Sequence, residues 1–359
     1  MSEIYIMVVE DNSGDRQIVR DSAEFYELEF DRKVKIEFCD NVPDAIARIN
    51  GSFDGAILDM KLQNDEEGGN KILEAIENST FRVPVIFVTA YPDLVDNSNL
   101  VLRSRPRGEG KYSDDFDAFF DFYHTGITKI MGRRGKIEEA LGKVFINCLM
   151  PKPQRDTWIG YGQKDPVKTE KALLRFTLNH LMQMLDDDDE LSFPEEAYLY
   201  PPVQQGFKTG SIVKEKGADS FSVILNPACD LVVRSSGQIK TDRLLLVEID
   251  GHNKVYDHIL KKLSTSEEKE EKLRLFFCNR YSPYYHWLPE TTFFAGGFLN
   301  FRKLSTMSPK ECLKKFERPK VQVSSHFIKD ILSRFSSYYA RQGQPDIECS
   351  DIVKNILSS

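Results

Sequence analysis

The chain has 359 residues, with 48 lysines and arginines against 56 aspartates and glutamates, so its formal net charge is 48 − 56 = −8. This length predicts two or three domains, and 41% apolar residues are enough to build folded cores. The acidic balance argues against broad nucleic-acid binding, which needs a basic surface to displace phosphate counterions. The six cysteines form no C-x-x-C pair, which disfavours a tetrahedral zinc site. No signal-peptide pattern and no apolar run of about 20 residues occurs, so we expect a cytoplasmic protein without membrane contact.

The first 150 residues alternate between strand-like and helical patterns. Short apolar strands are predicted at Ile4–Val9, Val34–Phe38, Gly55–Asp59 and Pro84–Thr89, with helices at Ser13–Leu28, Pro43–Ile49 and 70–78. Alternating strands and helices predict βαβ units and a parallel sheet, and almost entirely apolar strands indicate that both faces of the sheet are covered. We therefore predict an α/β fold for residues 1–149, with a doubly wound, five-stranded parallel sheet.

Polar residues follow the ends of three of these strands. Glu10 and Asp11 follow the first strand, Asp59 ends the third and Thr89 ends the fourth. Because the carboxyl ends of parallel strands meet at one edge, these side chains should converge. Crowded carboxylates need a cation, and oxygen ligands suit Mg²⁺, beside which a carboxylate can attack a phosphoryl group. The competing interpretation is that these are ordinary strand-end polar residues in a ligand-free domain.

The motifs MVVEDN, AILDMKL, GGNKILEAI and VPVIFVTAYPD resemble those of response-regulator receiver domains over residues 4–145. The resemblance implies that Asp59 is the phosphoacceptor. It further implies that Asp11 ligates Mg²⁺ directly, that Glu10 acts mostly through water, and that the carbonyl of Lys61 is another ligand. This divergent form is also similar to receivers found in prokaryotic conflict systems, including anti-phage loci.

The resemblance assigns Thr89 as the switch hydroxyl that turns toward the phosphoryl group, and it implies a lysine at the end of strand five. After Thr89 the chain runs through a polar, Gly- and Pro-containing stretch at about 95–120, which we interpret as an insertion. Strand five is predicted at Gly126–Met131, which places Lys129 at the family's lysine position. Arg133 is the alternative if this register is wrong, and it would offer phosphate a planar fork.

Residues 150–199 are predicted to form a linker and a connecting helix. Met150–Pro166 is rich in proline and glycine, as connectors are, and Val167–Leu185 has a helical pattern. Its apolar stripe consists of Leu174, Leu178, Leu181 and Leu185. The stripe either packs against the next domain or serves as a signalling or dimer helix. The acidic run Asp186–Glu190 is interpreted as a solvated loop.

Residues 200–359 are predicted to form an α+β or mainly β domain that ends in a helix beginning after Ser324 or Ser325. Strand-like runs occur at 219–233, 243–250, 272–280 and 291–304. Cys229 is interpreted as a small core residue, in preference to a nucleophile beside a histidine.

The leading hypothesis is a response regulator that a histidine kinase or a small phosphodonor phosphorylates on Asp59 with Mg²⁺. Its C-terminal domain would then bind or release a protein partner, in a defence module. One alternative is a Cys- or metal-dependent hydrolase in the C-terminal half, gated by the receiver. The other is a pseudo-receiver that serves only as an interaction scaffold. No enzymatic activity is expected beyond the receiver's own phosphorylation and dephosphorylation, nucleic acid is not an expected partner, and a homodimer is left open.

Overall fold

The computed structural model describes residues 2–131, 135–185, 191–203, 206–234, 239–261, 263, 265–341 and 347–358. The chain divides into two compact units, Met1–Asp189 and Glu190–Ser359, called the first and second unit below. In the part of the chain that the structure describes, no helix combines the length and the apolar composition that crossing a bilayer requires.

A five-stranded, fully parallel sheet forms the centre of the first unit. Its strands are β1 Ser2–Val9, β2 Arg32–Cys39, β3 Gly55–Leu58, β4 Val85–Thr89 and β5 Val101–Pro106. They lie in the order β2-β1-β3-β4-β5, which is the doubly wound order with its switch point between β1 and β3. The prediction of an α/β fold with five parallel strands is confirmed.

Helices cover both faces of this sheet. The helices of the first unit are α1 Ser13–Phe30, α2 Val42–Arg48, α3 Gly68–Asn78, α4 Tyr112–His124, α5 Ile127–Met131, α6 Lys136–Val144, α7 Lys152–Lys164 and α8 Pro166–Leu185. Side chains alternate along β1, so that Ile6 joins the core under α1 and α4 while Met7 joins the core under α2 and α3. Burial on both faces explains why this strand is almost entirely apolar.

The fifth strand lies where the sequence predicts an insertion. A strand over Gly126–Met131 is wrong, because residues 127–131 form α5 and the sheet ends with Val101–Pro106. Arginines give β5 its loop-like appearance in the sequence. The carboxylate of Asp115 on α4 forms ion pairs with two of them. Its Oδ1 is 2.6 Å from Arg103 Nη2, and its Oδ2 is 2.6 Å from Arg105 Nη2. The segment at 95–120 therefore supplies the edge strand of the sheet.

The connection from β4 to β5 contains a 3₁₀ turn at Pro92–Leu94 in place of the usual α-helix. Two hydrogen bonds tie it to Asn70 on α3: the Asn70 amide donates to the Leu94 carbonyl at 3.0 Å and accepts from the Asp96 N–H at 3.1 Å. Val95 and Leu100 pack against the core under α2 and α3. A loop therefore covers this end of the sheet.

The segment interpreted as a connector forms helix α7. Its proline lies near the first turn, where a missing N–H costs little. The indole of Trp158 packs edge-on against Phe176 of α8, with ring centroids 5.5 Å apart. This packing explains how a glycine-containing segment stays helical. On α8, Leu174 and Leu178 of the predicted stripe are 60% and 49% exposed.

The second unit has an antiparallel seven-stranded sheet in the order β10-β11-β9-β8-β7-β12-β6. Its strands are β6 Tyr198–Leu199, β7 Ser211–Lys214, β8 Phe221–Ile224, β9 Leu244–Asp250, β10 Tyr285–Leu288, β11 Gly297–Met307 and β12 Val321–Val323. Its helices are α9 His252–Leu260, α10 Ser266–Phe277, α11 Pro309–Lys315, α12 Ser325–Ala340 and α13 Ser350–Leu357. The prediction of a second domain of α+β or mainly β class is confirmed. The helix predicted after Ser324 or Ser325 is α12, but it is not the last one, because α13 follows it.

Two predictions for the second unit are wrong. The strand over 272–280 is largely helix α10, which begins with a reciprocal capping box in which the side chains of Thr265 and Glu268 each accept the other residue's backbone N–H. Cys229 is exposed instead of lying in the core, with its thiol 3.8 Å from Asp230 Oδ1.

Candidate functional site

Three carboxylates meet at the carboxyl edge of the first sheet. Val9 pairs with Leu58, so Glu10 and Asp59 leave neighbouring strands side by side, and the Asp59 N–H donates to the Val9 carbonyl at 3.0 Å. One oxygen each from Glu10, Asp11 and Asp59 lies within 4.8 Å of the others. We call these three residues the acidic cluster. It is the one such grouping of three or more His, Cys, Asp or Glu side chains in the described ranges.

Backbone N–H groups orient each carboxylate of the acidic cluster. Met60 donates to Asp59 Oδ1 at 2.8 Å, and Asn12 donates to Glu10 Oε1 at 2.9 Å. Gln63, which has a left-handed φ of 55°, donates to Asp11 Oδ2 at 2.6 Å. Each carboxylate thus has one oxygen held by the main chain, an arrangement that fixes its direction without using both oxygens.

A glycine allows helix α3 to begin next to the phosphoacceptor candidate. A Cβ on Gly69 would lie 2.6 Å from the Asp59 carbonyl oxygen and 2.6 Å from the Phe87 ring. In its place the Gly69 N–H donates to the Met60 carbonyl at 3.0 Å. The segment between β3 and α3 is therefore held tightly under the acidic cluster.

Arg107 lies directly after β5, where its N–H donates to the Thr89 carbonyl at 3.1 Å. Its Nη2 is 2.5 Å from Glu10 Oε2 and 2.6 Å from Asp59 Oδ2, while its Nη1 is 2.7 Å from Asp15 Oδ2. One guanidinium therefore bridges two members of the acidic cluster and a third carboxylate on α1.

Burial shifts the ionisation of these groups. Desolvation raises the pKa of Glu10 to about 7, although the Asn12 N–H and Arg107 favour its charged form. Desolvation also raises the pKa of Asp59, against the opposing effects of the Thr89 hydroxyl and Arg107. Burial disfavours the charge on Arg107, but the carboxylates of Asp59 and Glu10 outweigh it and raise its pKa. The site thus holds negative charge at a cost that a cation relieves.

No protein-family model and no curated protein matches the chain. Solved structures of receiver domains match the N-terminal part. A response regulator receiver protein from Pseudoalteromonas atlantica is 12% identical, with 34% of this chain and 98% of that chain covered and a TM-score of 0.26. The signal receiver domain of NarL from Mycobacterium tuberculosis is 18% identical, with coverages of 34% and 96% and a TM-score of 0.26. A structure of the histidine kinase ThkA in complex with the response regulator TrrA is 18% identical, with 33% of this chain and 98% of that chain covered and a TM-score of 0.27.

These likenesses concern fold alone and cover about a third of this chain. The strand order of the first unit is the doubly wound order β2-β1-β3-β4-β5. This sheet brings Glu10, Asp11, Asp59 and Thr89 to one edge, as the sequence predicts. Thr89 is fully buried and Asp59 is 6% exposed.

The remaining site predictions fare differently. The ammonium of Lys61 lies 3.1 Å from Glu66 and over the Tyr91 ring, while the ligand role of its carbonyl stays a prediction. Lys129 belongs to helix α5 and not to a strand end, and its side chain lies outside the described part of the structure. Arg133 also lies outside the described residues.

Arg107 is the site residue that sequence reasoning missed. Its guanidinium reaches Asp59 from the end of β5, the position at which the sequence resemblance implies a lysine. It follows Thr89 by 107 − 89 = 18 residues, whereas Lys129 follows by 129 − 89 = 40. The signal was present in the sequence LRSRPR, in which arginines recur at every second position as they do on one face of a strand.

The donor set of the acidic cluster fits a magnesium ion. Three carboxylates each offer an oxygen within 4.8 Å of the others, and carboxylate oxygens are the ligands that this ion prefers. Glu10, Asp11 and Asp59 are the residues that would hold it.

Proposed function

We propose that this protein is a phosphorylation-controlled signalling protein, in which Asp59 accepts a phosphoryl group with Mg²⁺ present. The observation that carries the proposal is the meeting of Asp59, Glu10 and Asp11 within 4.8 Å at the carboxyl edge of the parallel sheet. Desolvation disfavours the charged forms of Glu10 and Asp59, and divalent-ion binding and phosphoryl transfer both draw on negative charge at this edge.

The reaction is a transfer from a histidine kinase or a small phosphodonor to the Asp59 carboxylate. An Asp59 oxygen attacks phosphorus, the bond from phosphorus to the donor's nitrogen or oxygen breaks, and the donor leaves with the electron pair. A magnesium ion bound by the acidic cluster supplies positive charge to the transferring phosphoryl group. In this proposal Thr89, whose side chain hydrogen-bonds Asp59, donates to a phosphoryl oxygen, and Arg107, whose Nη2 is 2.6 Å from Asp59 Oδ2, binds the phosphoryl group.

Intact mass spectrometry after incubation with acetyl phosphate and magnesium chloride tests this proposal. The wild-type chain should gain one phosphoryl group, and the Asp59→Asn variant should gain none. Asp54→Asn is a matched control, because Asp54 precedes the same strand at its opposite end and accepts the Tyr5 N–H at 2.9 Å. An unmodified wild type, or equal modification of Asp59→Asn, would refute the proposal.

We further propose that phosphorylation controls the second unit, which binds or releases a protein partner, in keeping with the resemblance to receivers of anti-phage systems. The exposed stripe of α8, with Leu174 and Leu178, offers an apolar face through which a change can be passed on. Hydrogen exchange with and without acetyl phosphate should change in the second unit of the wild type but not of Asp59→Asn. Equal hydrogen exchange of the second unit in all samples would contradict the proposal that phosphorylation regulates it.

A second candidate function is a pseudo-receiver scaffold. The observation that favours it is that Arg107 already forms ion pairs with both Glu10 and Asp59. A chain that binds no Mg²⁺ and resists acetyl phosphate, yet keeps its fold, would favour the scaffold.

A further inference from the structure

The guanidinium of Arg107 contacts the two carboxylate oxygens that a divalent cation would need. A single nitrogen, Nη2, is 2.5 Å from Glu10 Oε2 and 2.6 Å from Asp59 Oδ2. The other oxygen of each carboxylate already accepts a backbone N–H, from Asn12 and Met60. The free lone pairs of Glu10 and Asp59 therefore converge on Nη2.

Arg107 and a metal ion cannot both use these oxygens in this arrangement. Mg²⁺ requires oxygen ligands at about 2.0–2.1 Å in near-octahedral geometry. A cation at that distance from Glu10 and Asp59 would approach Nη2 closely and repel its positive charge. Binding of the ion therefore requires the guanidinium to move.

The structure shows what remains to hold Arg107 after such a movement. Its backbone is fixed by the hydrogen bond to the Thr89 carbonyl, so only the side chain can swing. Asp15, in the first turn of α1, already accepts from Nη1 at 2.7 Å and is partly exposed. A planar fork has two separate terminal nitrogens, so Nη1 can stay on Asp15 when Nη2 leaves the acidic cluster.

Resting on the proposed function, we infer that Arg107 is an internal counter-ion that competes with the divalent cation for Glu10 and Asp59. Asp15 is the positioning residue that retains the guanidinium once the cation has bound. Phosphorylation of Asp59 is thereby restricted to the cation-loaded state. The same guanidinium is then available beside the phosphoryl group.

The inference predicts opposite effects of one substitution on stability and on metal binding. Arg107→Gln leaves buried carboxylates without their counter-ion, so the metal-free protein should melt at a lower temperature. The same variant should bind Mg²⁺ about tenfold more tightly, because no charge-assisted hydrogen bond has to break first. Its melting temperature should therefore rise more on addition of Mg²⁺ than that of the wild type.

Asp15→Asn should act in the opposite direction on metal binding. Without the carboxylate at 2.7 Å, the displaced guanidinium loses its acceptor and stays longer on Glu10 and Asp59. We expect a Mg²⁺ affinity several-fold weaker than that of the wild type. Asp21→Asn is the control, because Asp21 is an exposed acid of the same helix that accepts from Gln17.

Isothermal titration with Mg²⁺ and melting curves with and without Mg²⁺ measure both effects in the full-length chain. Arg105→Gln is the matched control for Arg107, since it removes the same charge two residues earlier, on β5, where the partner is Asp115 of α4. Its Mg²⁺ affinity should stay within about twofold of the wild type. Arg107→Lys provides a second variant if the glutamine variant does not fold, and it should tighten Mg²⁺ binding by an intermediate factor.

Two results would overturn the inference. In one, Arg107→Gln binds Mg²⁺ no more tightly than the wild type. In the other, Arg105→Gln tightens binding equally, which would indicate a general field and not competition at the acidic cluster. If Asp59 is phosphorylated while all variants bind Mg²⁺ alike, Arg107 does not compete with the cation, and the proposed function stands. If no variant binds Mg²⁺ and Asp59 stays unmodified, both fail.

Discussion

Replacing Gly69 by alanine tests how closely helix α3 must approach the acidic cluster. The added Cβ would lie 2.6 Å from the Asp59 carbonyl oxygen, 2.6 Å from the Phe87 ring and 3.1 Å from the Met60 Cα. Two of these three neighbours are backbone atoms, which cannot rotate away. The start of α3 or the residue carrying the candidate phosphoacceptor must therefore shift.

Two opposing effects set the magnitude. Overpacking of a well-packed site costs about 1–3 kcal/mol, and the backbone contacts of Gly69 point to the upper half of this range. Alanine gains at most about 1 kcal/mol over glycine in a helix. We therefore expect Gly69→Ala to lower the free energy of unfolding of the first unit by about 1–2 kcal/mol and to weaken Mg²⁺ binding.

Gly68 provides a matched control in the adjacent position of the same helix. A Cβ there would meet only side-chain atoms, of Val42 and Leu62, at 3.0–3.2 Å. These contacts are 0.4–0.6 Å longer than the two shortest contacts at Gly69, and the helix propensity gain offsets part of their cost, so Gly68→Ala should destabilise the first unit by less than Gly69→Ala does.

Urea unfolding followed by tryptophan fluorescence measures the difference. The chain has two tryptophans, one in each unit, so a Trp287→Phe background leaves Trp158 on α7 to report on the first unit. Equal stability of the two alanine variants, or a more stable Gly69→Ala, would show that the close approach of α3 to Asp59 is not a constraint.

Two further predictions concern buried ionisable groups. Asp115→Asn should lower the free energy of unfolding of the first unit by about 3 kcal/mol, because it leaves Arg103 and Arg105 without their buried carboxylate. The control is Asp114→Asn at an exposed position, which should cost about 0.5 kcal/mol in the same urea titration. Desolvation, reinforced by Arg334, lowers the pKa of His286 from 6.5 to about 3. Between pH 7 and pH 5 the unfolded chain therefore binds a proton at this histidine while the folded chain does not, so the free energy of unfolding of the second unit should fall by about 2 kcal/mol. Unfolding followed through the fluorescence of Trp287 on β10 at pH 7 and pH 5 should show this loss of stability, and His286→Phe should abolish it. The assignment would be contradicted if the loss were unchanged in His286→Phe, or if it disappeared in His326→Gln, which changes an exposed histidine.

The carboxyl edge of the first sheet could be predicted because it depends on few long-range details. Apolar runs that end in Glu10, Asp59 and Thr89 indicate parallel strands, and topology then brings their ends together whatever the loops do. The roles of Asp59 as phosphoacceptor, of Glu10 and Asp11 as metal ligands and of Thr89 as switch hydroxyl stay predictions.

The edge strand escaped prediction for a physical reason. β5 carries Arg103 and Arg105, whose charge signals a loop, and only the fold supplies the buried carboxylate of Asp115 that pairs with them. In contrast, the apolar segment at 126–131 matches a strand in composition but forms a short helix. Helix α10 was missed although its capping box, Thr265 and Glu268, is visible in the sequence.

The helix-free connection after β4 has a consequence for the motions of the first unit. A crossover helix would carry its own ladder of hydrogen bonds, whereas this loop is tied to α3 through the side chains of Asn70 and Glu77 and through a few apolar contacts. Segments with so few restraints open by local fluctuation at a free energy far below that of global unfolding. Amide protons at 94–100 should therefore exchange with solvent while those of β3 remain protected. Since the loop starts immediately after Thr89, each such opening lets water reach one wall of the acidic cluster while the rest of the sheet stays folded.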